Sequence, residues 1–310
     1  MFSTRLDDFR LAWLLALCAA AIDGAWLVAT GISLPPMAVM LKLSIAAAVL
    51  IVAWYYATIR REEGIAALFH AAALLIVATM ALGIASYLSI GLNLPLRDDL
   101  FASLDKAMSF DWQAHLRYVS ERPWLAGALN LAYASALPQV VVVILALAFS
   151  RQTERLATFT LLFVVTGAIV IAISSLVPAV GAYAYHRPAE DMLRALPDAA
   201  AGRWHLTHFT ALRNGSLGVI PLDQIEGLVS FPSFHTVLAI LTMWALATTR
   251  WLAGPAIVLN CAVILSTLAI GGHYLVDVIG GAIIAVSALV LARRRAAVSR
   301  DFSARPQHAG

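Results

Sequence analysis

The chain has 310 residues, of which 61% are apolar and 13% charged, and its formal net charge is +3 at pH 7. Soluble domains carry about 25% charged residues, so this composition excludes an ordinary soluble domain and indicates an integral membrane protein. The small net charge does not point to a nucleic-acid partner. The cysteines, Cys18 and Cys261, both lie in apolar runs, which favours packing roles over a disulfide or a metal pair.

Long apolar runs predict about eight membrane-spanning helices, because a helix needs roughly 20 apolar residues to cross a bilayer. In the fourth run, Pro138-Gln139 predicts a kink with a hydrogen bond to a neighbouring helix. The predicted fold is therefore an all-α, polytopic membrane helical bundle. The predicted spans are 11–33, 37–59, 65–92, 125–149, 156–177, 233–249, 252–271 and 274–292.

Two more polar stretches interrupt the spans. Residues 93–124 mix charged and aromatic side chains, which is typical of helices that lie at the membrane interface. Residues 178–231 form the longest polar stretch and lead directly into the sixth span. We expect both stretches to lie on the same side of the membrane, since each follows an odd number of crossings.

The basic residues of the short connectors predict the orientation, because positive short loops stay in the cytoplasm. With eight spans, all of these connectors fall on one side together with both termini. The two polar stretches then face the outside, which for a bacterial inner membrane is the periplasm. The residues that support this orientation are Arg5, Arg10, Arg60, Arg61, Arg151, Arg155, Arg250, Arg293, Arg294 and Arg295.

Two short motifs place ionisable side chains at the start of apolar runs, where charges are costly and point to function. In residues 272–277, His273 and Asp277 are four apart, so a helix would bring them together. A carboxylate behind an imidazole orients the ring as a nucleophile or base; alternatively, the pair only caps a helix. In residues 231–235, His235 follows Pro232-Ser233, a pattern that also fits an ordinary helix cap. The alternation of spans brings both motifs to the same depth, which favours one shared site.

With these motifs the chain resembles the type 2 phosphatidic acid phosphatase superfamily of membrane lipid phosphatases and phosphotransferases. That family carries K-x6-R-P, P-S-G-H and S-R-x5-H-x3-D. Residues 232–235 match the second motif with Phe234 in place of Gly. Ser266-Thr267, His273 and Asp277 match the third with Thr267 in place of Arg. The resemblance covers roughly residues 100–292. The residues in and around the two motifs are similar to those of the branch that includes inositol phosphorylceramide synthases.

The resemblance implies a domain division and a mechanism. Residues 1–92 would be added transmembrane helices, 93–292 the phosphatase-like catalytic core and 293–310 a basic cytoplasmic tail. The bundle of about eight helices would contain a six-helix phosphatase-like core. His273 would attack phosphorus, Asp277 would orient it, and His235 would protonate the leaving oxygen. No metal or other cofactor is implied.

Because Thr267 cannot clamp a phosphate as an arginine does, another arginine must serve. The sequence favours Arg213, with His208 as a companion, and Ser233 as a further phosphate ligand. Arg187, in Arg187-Pro188, is the alternative, because it matches the end of the first family motif.

Three functions remain open from the sequence. The first is a lipid phosphate phosphatase that acts at the outer face through a phosphohistidine. The second is a phosphotransferase that moves a phosphoryl headgroup to an alcohol acceptor, and the third is a non-catalytic lipid transporter of the same fold. The expected partners are a phospholipid or polyprenyl phosphate substrate and membrane lipid.

Overall fold

The computed structural model describes residues 2–197 and 202–304, with the side chains of 7–197 and 202–298. Within these residues the chain is helical without a β-sheet, so the predicted all-α bundle is confirmed. The helices are α1 (Phe2–Thr30), α2 (Pro36–Thr58), α3 (Glu63–Ile90), α4 (Asp98–Ala107), α5 (Trp112–Ser120), α6 (Pro123–Ser135), α7 (Pro138–Phe149), α8 (Thr153–Leu176), α9 (Ala182–His186), α10 (Glu190–Arg194), α11 (Leu206–Arg213), α12 (Phe234–Leu246), α13 (Ala253–Ala269) and α14 (Leu275–Ala304).

Helix length and composition agree with a polytopic membrane protein. Of the described helices, α1, α2, α3, α8 and α14 are long and apolar enough to cross a membrane. Helices α6 and α7 form a sixth span if they are taken together. The shorter apolar helices α12 and α13, with 13 and 17 residues, occupy the sixth and seventh predicted spans.

The predicted kink in the fourth span is confirmed. Helices α6 and α7 meet at a bend of 55°. Pro138 opens α7, where a residue without a backbone N–H is tolerated. Asn260 Nδ2 in α13 donates to Gln139 Oε1 at 2.7 Å, which satisfies both buried amides inside the bundle.

Hydrogen bonds define two ends of the bundle. At one end, Ser33 N donates to Gly218 O at 2.9 Å and Arg97 N donates to Pro178 O at 2.9 Å. At the other end, Thr248 Oγ1 donates to Gln152 Oε1 at 2.6 Å, and Arg295 lies 3.2 Å from Asp8. We call the first the site end, because both histidine motifs lie there, and the second the basic end.

The last span packs closely against α12 because α14 carries two glycines. A Cβ at Gly281 would lie 2.4 Å from the carbonyl oxygen of Ser233, and a Cβ at Gly280 would lie 2.9 Å from the Phe231 ring. Small residues allow such close approach of helix backbones in membranes. These glycines therefore set the distance between the two histidine motifs.

We expect Gly281→Ala to lower the thermal unfolding temperature, since overpacking typically costs about 1–3 kcal/mol. Thermal unfolding of the purified protein in detergent measures this effect. Gly24→Ala is the matched control, because a Cβ on this α1 glycine meets nothing within 4 Å. Equal unfolding temperatures for the two variants would contradict the close-packing role of Gly281.

Candidate active site

His273 is held by Asp277 at the site end of α14. The helix begins at Leu275, so His273 precedes it rather than sharing its face, and Asp277 reaches back over the helix start. Asp277 Oδ2 lies 3.1 Å from His273 Nδ1 and accepts a hydrogen bond from Tyr274 N at 3.0 Å. Both members of the pair are buried. With Nδ1 bonded to the carboxylate, Nε2 is the ring nitrogen left for chemistry.

Three further contacts fix this pair. Ser230 Oγ donates to Asp277 Oδ2 at 2.9 Å, so the same carboxylate oxygen has three partners. His273 N donates to the carbonyl oxygen of Thr267 at 3.0 Å. Gly272, with φ +68°, forms the turn before His273, and a Cβ there would lie 2.5 Å from the Tyr183 ring. The turn therefore requires glycine on both conformational and steric grounds.

His235 lies in the first turn of α12. Ser233 caps this helix by accepting from Thr236 N at 3.3 Å, and Ser233 N donates to the carbonyl oxygen of Asp277 at 3.0 Å. The His235 ring stacks on Tyr133 with centroids 4.3 Å apart and lies 6.4 Å from the His273 ring. The structure thus brings together His235, His273 and Asp277, as the alternation of spans predicts.

A cavity of about 610 Å³ is lined by both histidines. Most of its remaining wall is apolar, with Leu82, Phe163 and Val170 as examples, so it can accommodate a hydrocarbon chain next to the polar site. Among the described residues that line it, none is an arginine or a lysine.

The other predicted ligands lie away from this lining. Arg213 Nη1 donates to the carbonyl oxygen of Leu94 at 2.9 Å, and Arg187 ends helix α9 with φ +47°. Ser233 is fully buried beneath the helix start that it caps. None of these three residues lines the cavity, and their roles as phosphate ligands stay predictions.

His208 belongs to a separate polar cluster. Its Nδ1 lies 3.0 Å from the Tyr87 hydroxyl and 3.1 Å from Glu226 Oε2, and Glu226 N donates to the same hydroxyl at 3.2 Å. Glu226 lines the cavity, whereas His208 does not. His208 therefore reaches the cavity through Glu226, and its predicted role as a companion of Arg213 also remains a prediction.

A third histidine, which the sequence analysis did not assign, lies beside the site. His205 lines the cavity, and its Nε2 donates to the carbonyl oxygen of Val180 at 2.9 Å. Burial lowers the pKa of His205; the hydrogen bond to Val180 opposes this shift, and the nearby His273 adds to it. A lowered pKa keeps His205 neutral at neutral pH, so it acts as a hydrogen-bonding group rather than a cation.

Helix α4 supplies two buried carboxylates that the sequence analysis missed. Asp98 accepts from Val180 N and Gly181 N, each at 3.0 Å, and from the Tyr274 hydroxyl at 2.9 Å. Asp105 accepts from Leu275 N at 2.9 Å and Val276 N at 3.0 Å, which are the first amides of α14. Burial raises the pKa of both carboxyls, and their backbone hydrogen bonds oppose the shift.

These carboxylates hold the turn around His273 and the start of α14. Asp105 satisfies helix N-terminal amides that have no intrahelical partner, as an N-cap does. The sequence held a signal for both, because Asp98, Phe101 and Asp105 recur at the spacing of one helix face, and all three are buried.

We expect Asp105→Ala to lower kcat by about tenfold or more, because a lost hydrogen-bond partner leaves buried amides unsatisfied next to His273. KM should change less, since Asp105 does not line the cavity. Steady-state kinetics separates the two parameters, and Asp105→Asn should recover part of the rate because it keeps one acceptor. Asp99→Ala on the same helix is the control. Equal kcat in the two alanine variants would contradict the positioning role.

The residues that the structure describes contain no group of three or more His, Cys, Asp or Glu side chains that could hold a metal ion.

Comparison with known proteins agrees with the geometry. A family model described as PAP2 superfamily matches residues 99–291, a range that includes both histidine motifs and all of α4 except Asp98, and that excludes α1–α3. Neither a curated protein nor a solved structure gave a significant match. The likeness to the inositol phosphorylceramide synthase branch stays a prediction. Because the matched range covers more than half of the chain, the protein belongs to the PAP2 superfamily, as its motifs indicated.

Proposed function

We propose that this protein is a lipid phosphate phosphatase that works through a phosphohistidine at the outer face of a membrane. Membership of the PAP2 superfamily supports a phosphatase-type activity on lipid phosphates. The observation that carries the proposal is the cavity, which has His235 and His273 on a largely apolar wall, with Asp277 behind His273. A polar reaction centre joined to an apolar space suits a substrate with a phosphate head and a hydrocarbon tail.

The proposed reaction has two steps. His273 Nε2 attacks phosphorus, the bond between phosphorus and the lipid oxygen breaks, and His235 gives a proton to that oxygen. His235 then takes a proton from water, the water oxygen attacks phosphorus, and the phosphorus–nitrogen bond breaks to release phosphate. Asp277 stabilises the positive charge on the His273 ring throughout. The ring separation of 6.4 Å leaves room for a phosphoryl group between the two histidines.

We further propose that the site end faces the outside of a bacterial inner membrane and that both termini lie in the cytoplasm. The connectors that carry Arg151 and Arg250 are joined at the basic end through the bond between Thr248 and Gln152. Positive short connectors stay in the cytoplasm, so the opposite end, with the cavity, would face outwards.

A phosphotransferase is the second candidate, and Glu226 favours it. This carboxylate lines the cavity together with Asn130. A carboxylate repels a phosphate but accepts hydrogen bonds from hydroxyl groups, so this part of the wall suits an alcohol acceptor.

One assay tests these functions. Purified protein is offered phosphatidic acid and a polyprenyl phosphate, with and without a polyol, and the products are identified by mass. Free phosphate would support the phosphatase, and a phosphoryl group joined to the polyol would support the transferase. If neither forms while lipid still moves between leaflets in a His273→Ala variant, the protein is a transporter of the same fold. The site proposed here needs no divalent ion, so EDTA should leave turnover unchanged.

The arginine that holds the phosphate is tested separately. Besides Arg213 and Arg187, Arg203 is a candidate by position, since its neighbours Gly202 and Trp204 both line the cavity. We expect Arg203→Lys to lower kcat/KM by about tenfold or more at an unchanged unfolding temperature, because an ammonium cannot form the bidentate fork.

Arg213→Lys provides the comparison. If Arg213 only ties α11 to Leu94, its replacement should lower the unfolding temperature more than kcat/KM, and Arg187→Ala should be milder in both. The reverse order, with Arg213→Lys inactive but stable and Arg203→Lys active, would return the phosphate role to Arg213.

A further inference from the structure

The cavity extends beyond the family-matched part of the chain. One of its walls is helix α3, which contributes Thr79, Leu82, Gly83 and Ser86. These positions follow the spacing i, i+3, i+4, i+7, so they form one stripe along the helix. The family match begins at residue 99, so this wall lies outside the matched range.

A glycine on α3 and a glycine on α8 keep side-chain atoms out of the space between α3 and its neighbours. A Cβ at Gly83 would lie 2.9 Å from Ile225 Cδ1, so α3 lies directly against the connection between α11 and α12. A Cβ at Gly167 of α8 would lie 2.8 Å from Leu82 Cδ1, so any larger residue there would push against α3. The width of this part of the cavity therefore depends on small side chains and on Leu82.

The same cavity reaches the outer surface of the bundle at the break between α6 and α7. Ala134 and Leu137 line it and are also exposed, Leu137 by 61%. The break lies within the bent pair α6–α7, which together is long and apolar enough to be one membrane span, so the exposed side of the break would face lipid. A hydrocarbon chain can thus enter the cavity sideways from the bilayer while its phosphate stays near the histidines.

We propose that α3 forms one wall of a hydrocarbon-chain channel, and that this helix, which lies outside the family match, sets which lipid chains the enzyme accepts. The ligand class is a phosphate ester with a long hydrocarbon chain. The inference rests on the proposed function for the phosphate end but not for the chain end. The volume of about 610 Å³ lies within the range of pockets that enclose a ligand of this size.

The test compares hexadecyl phosphate with butyl phosphate in two variants. Ser86→Leu places a larger side chain in the channel, and we expect it to lower kcat/KM for hexadecyl phosphate by about tenfold or more, since each excluded methylene weakens binding several-fold. Butyl phosphate should be hydrolysed within about twofold of the wild-type rate, as it needs little of the channel. Leu82→Ala widens the same stripe, and it should improve the acceptance of a branched chain relative to hexadecyl phosphate.

Ser44→Leu is the matched control, because Ser44 is exposed on α2 and does not line the cavity. An equal loss for both substrates in Ser86→Leu, or no loss for either, would overturn the channel. Binding of the two phosphates to the wild-type protein and to Ser86→Leu is measured in parallel by calorimetry. If hexadecyl phosphate binds more tightly than butyl phosphate but neither is hydrolysed, the phosphatase proposal is overturned and the channel proposal is kept. If both are hydrolysed but bind equally well, the channel proposal is overturned and the phosphatase proposal is kept.

Discussion

Replacement of His273 by alanine is expected to abolish phosphate release while the protein still folds and inserts. The proposed reaction forms a bond between His273 Nε2 and phosphorus, and Asp277 holds the Nδ1 of the same ring. His235→Ala should be comparably severe, because the leaving oxygen would depart without a proton. Release of phosphate from the lipid that the wild-type protein hydrolyses measures both effects.

The double variant makes this prediction sharper. Residues that act as one unit lose little more together than apart, so His235→Ala with His273→Ala should be scarcely worse than either alone. His70→Ala is the matched control, since the His70 ring contacts the Phe9 ring in the N-terminal helices and does not line the cavity. Near-normal turnover in either single variant, with a normal unfolding temperature, would overturn the assigned roles.

Asp277→Asn is expected to have the second-largest effect, lowering kcat by several orders of magnitude and KM much less. In a serine-protease triad the equivalent change costs about 10⁴-fold, because the ring loses its orienting charge. Here the same carboxylate oxygen also accepts from Ser230 and from Tyr274 N, so an amide that presents its NH₂ would face donors on several sides.

Ser230→Ala separates the contribution of the Asp277 charge from the contribution of its hydrogen bonds. It removes one neutral hydrogen bond to the carboxylate and leaves the charge in place, so its cost should be close to tenfold or less. If Asp277→Asn is no worse than Ser230→Ala, the charge of Asp277 contributes nothing beyond hydrogen bonding. Kinetics and unfolding temperatures are measured for both variants in the same detergent.

Two buried carboxylates connect helix α4 to the turn around His273. Asp98 and Asp105 on α4 accept five hydrogen bonds in all from the turn at Val180-Gly181, from Tyr274 and from the first amides of α14. Helix α4 therefore holds the turn around His273 in place. Loss of these hydrogen bonds should misplace His273 without removing any group that would touch phosphorus.

The sequence alone determined the membrane bundle and the pairing of the two histidine motifs. Both follow from local properties: apolar length predicts a span, and the alternation of spans predicts which connectors share an end. For the same reason the break at Pro138 was predictable, since a proline disrupts the helix in which it stands. The family resemblance then added roles for His235, His273 and Asp277 that spacing alone left open.

Only the tertiary structure decided which distant residues complete the site. Asp105 lies 170 positions before Leu275, and Ser230 lies 47 before Asp277, so no local pattern links them. The structure also placed Arg213 against Leu94, because polar groups that are buried on folding take the partners that packing brings within reach. The cavity itself arises between α3, α8 and α12, and its shape depends on how those helices pack rather than on the sequence of any one of them.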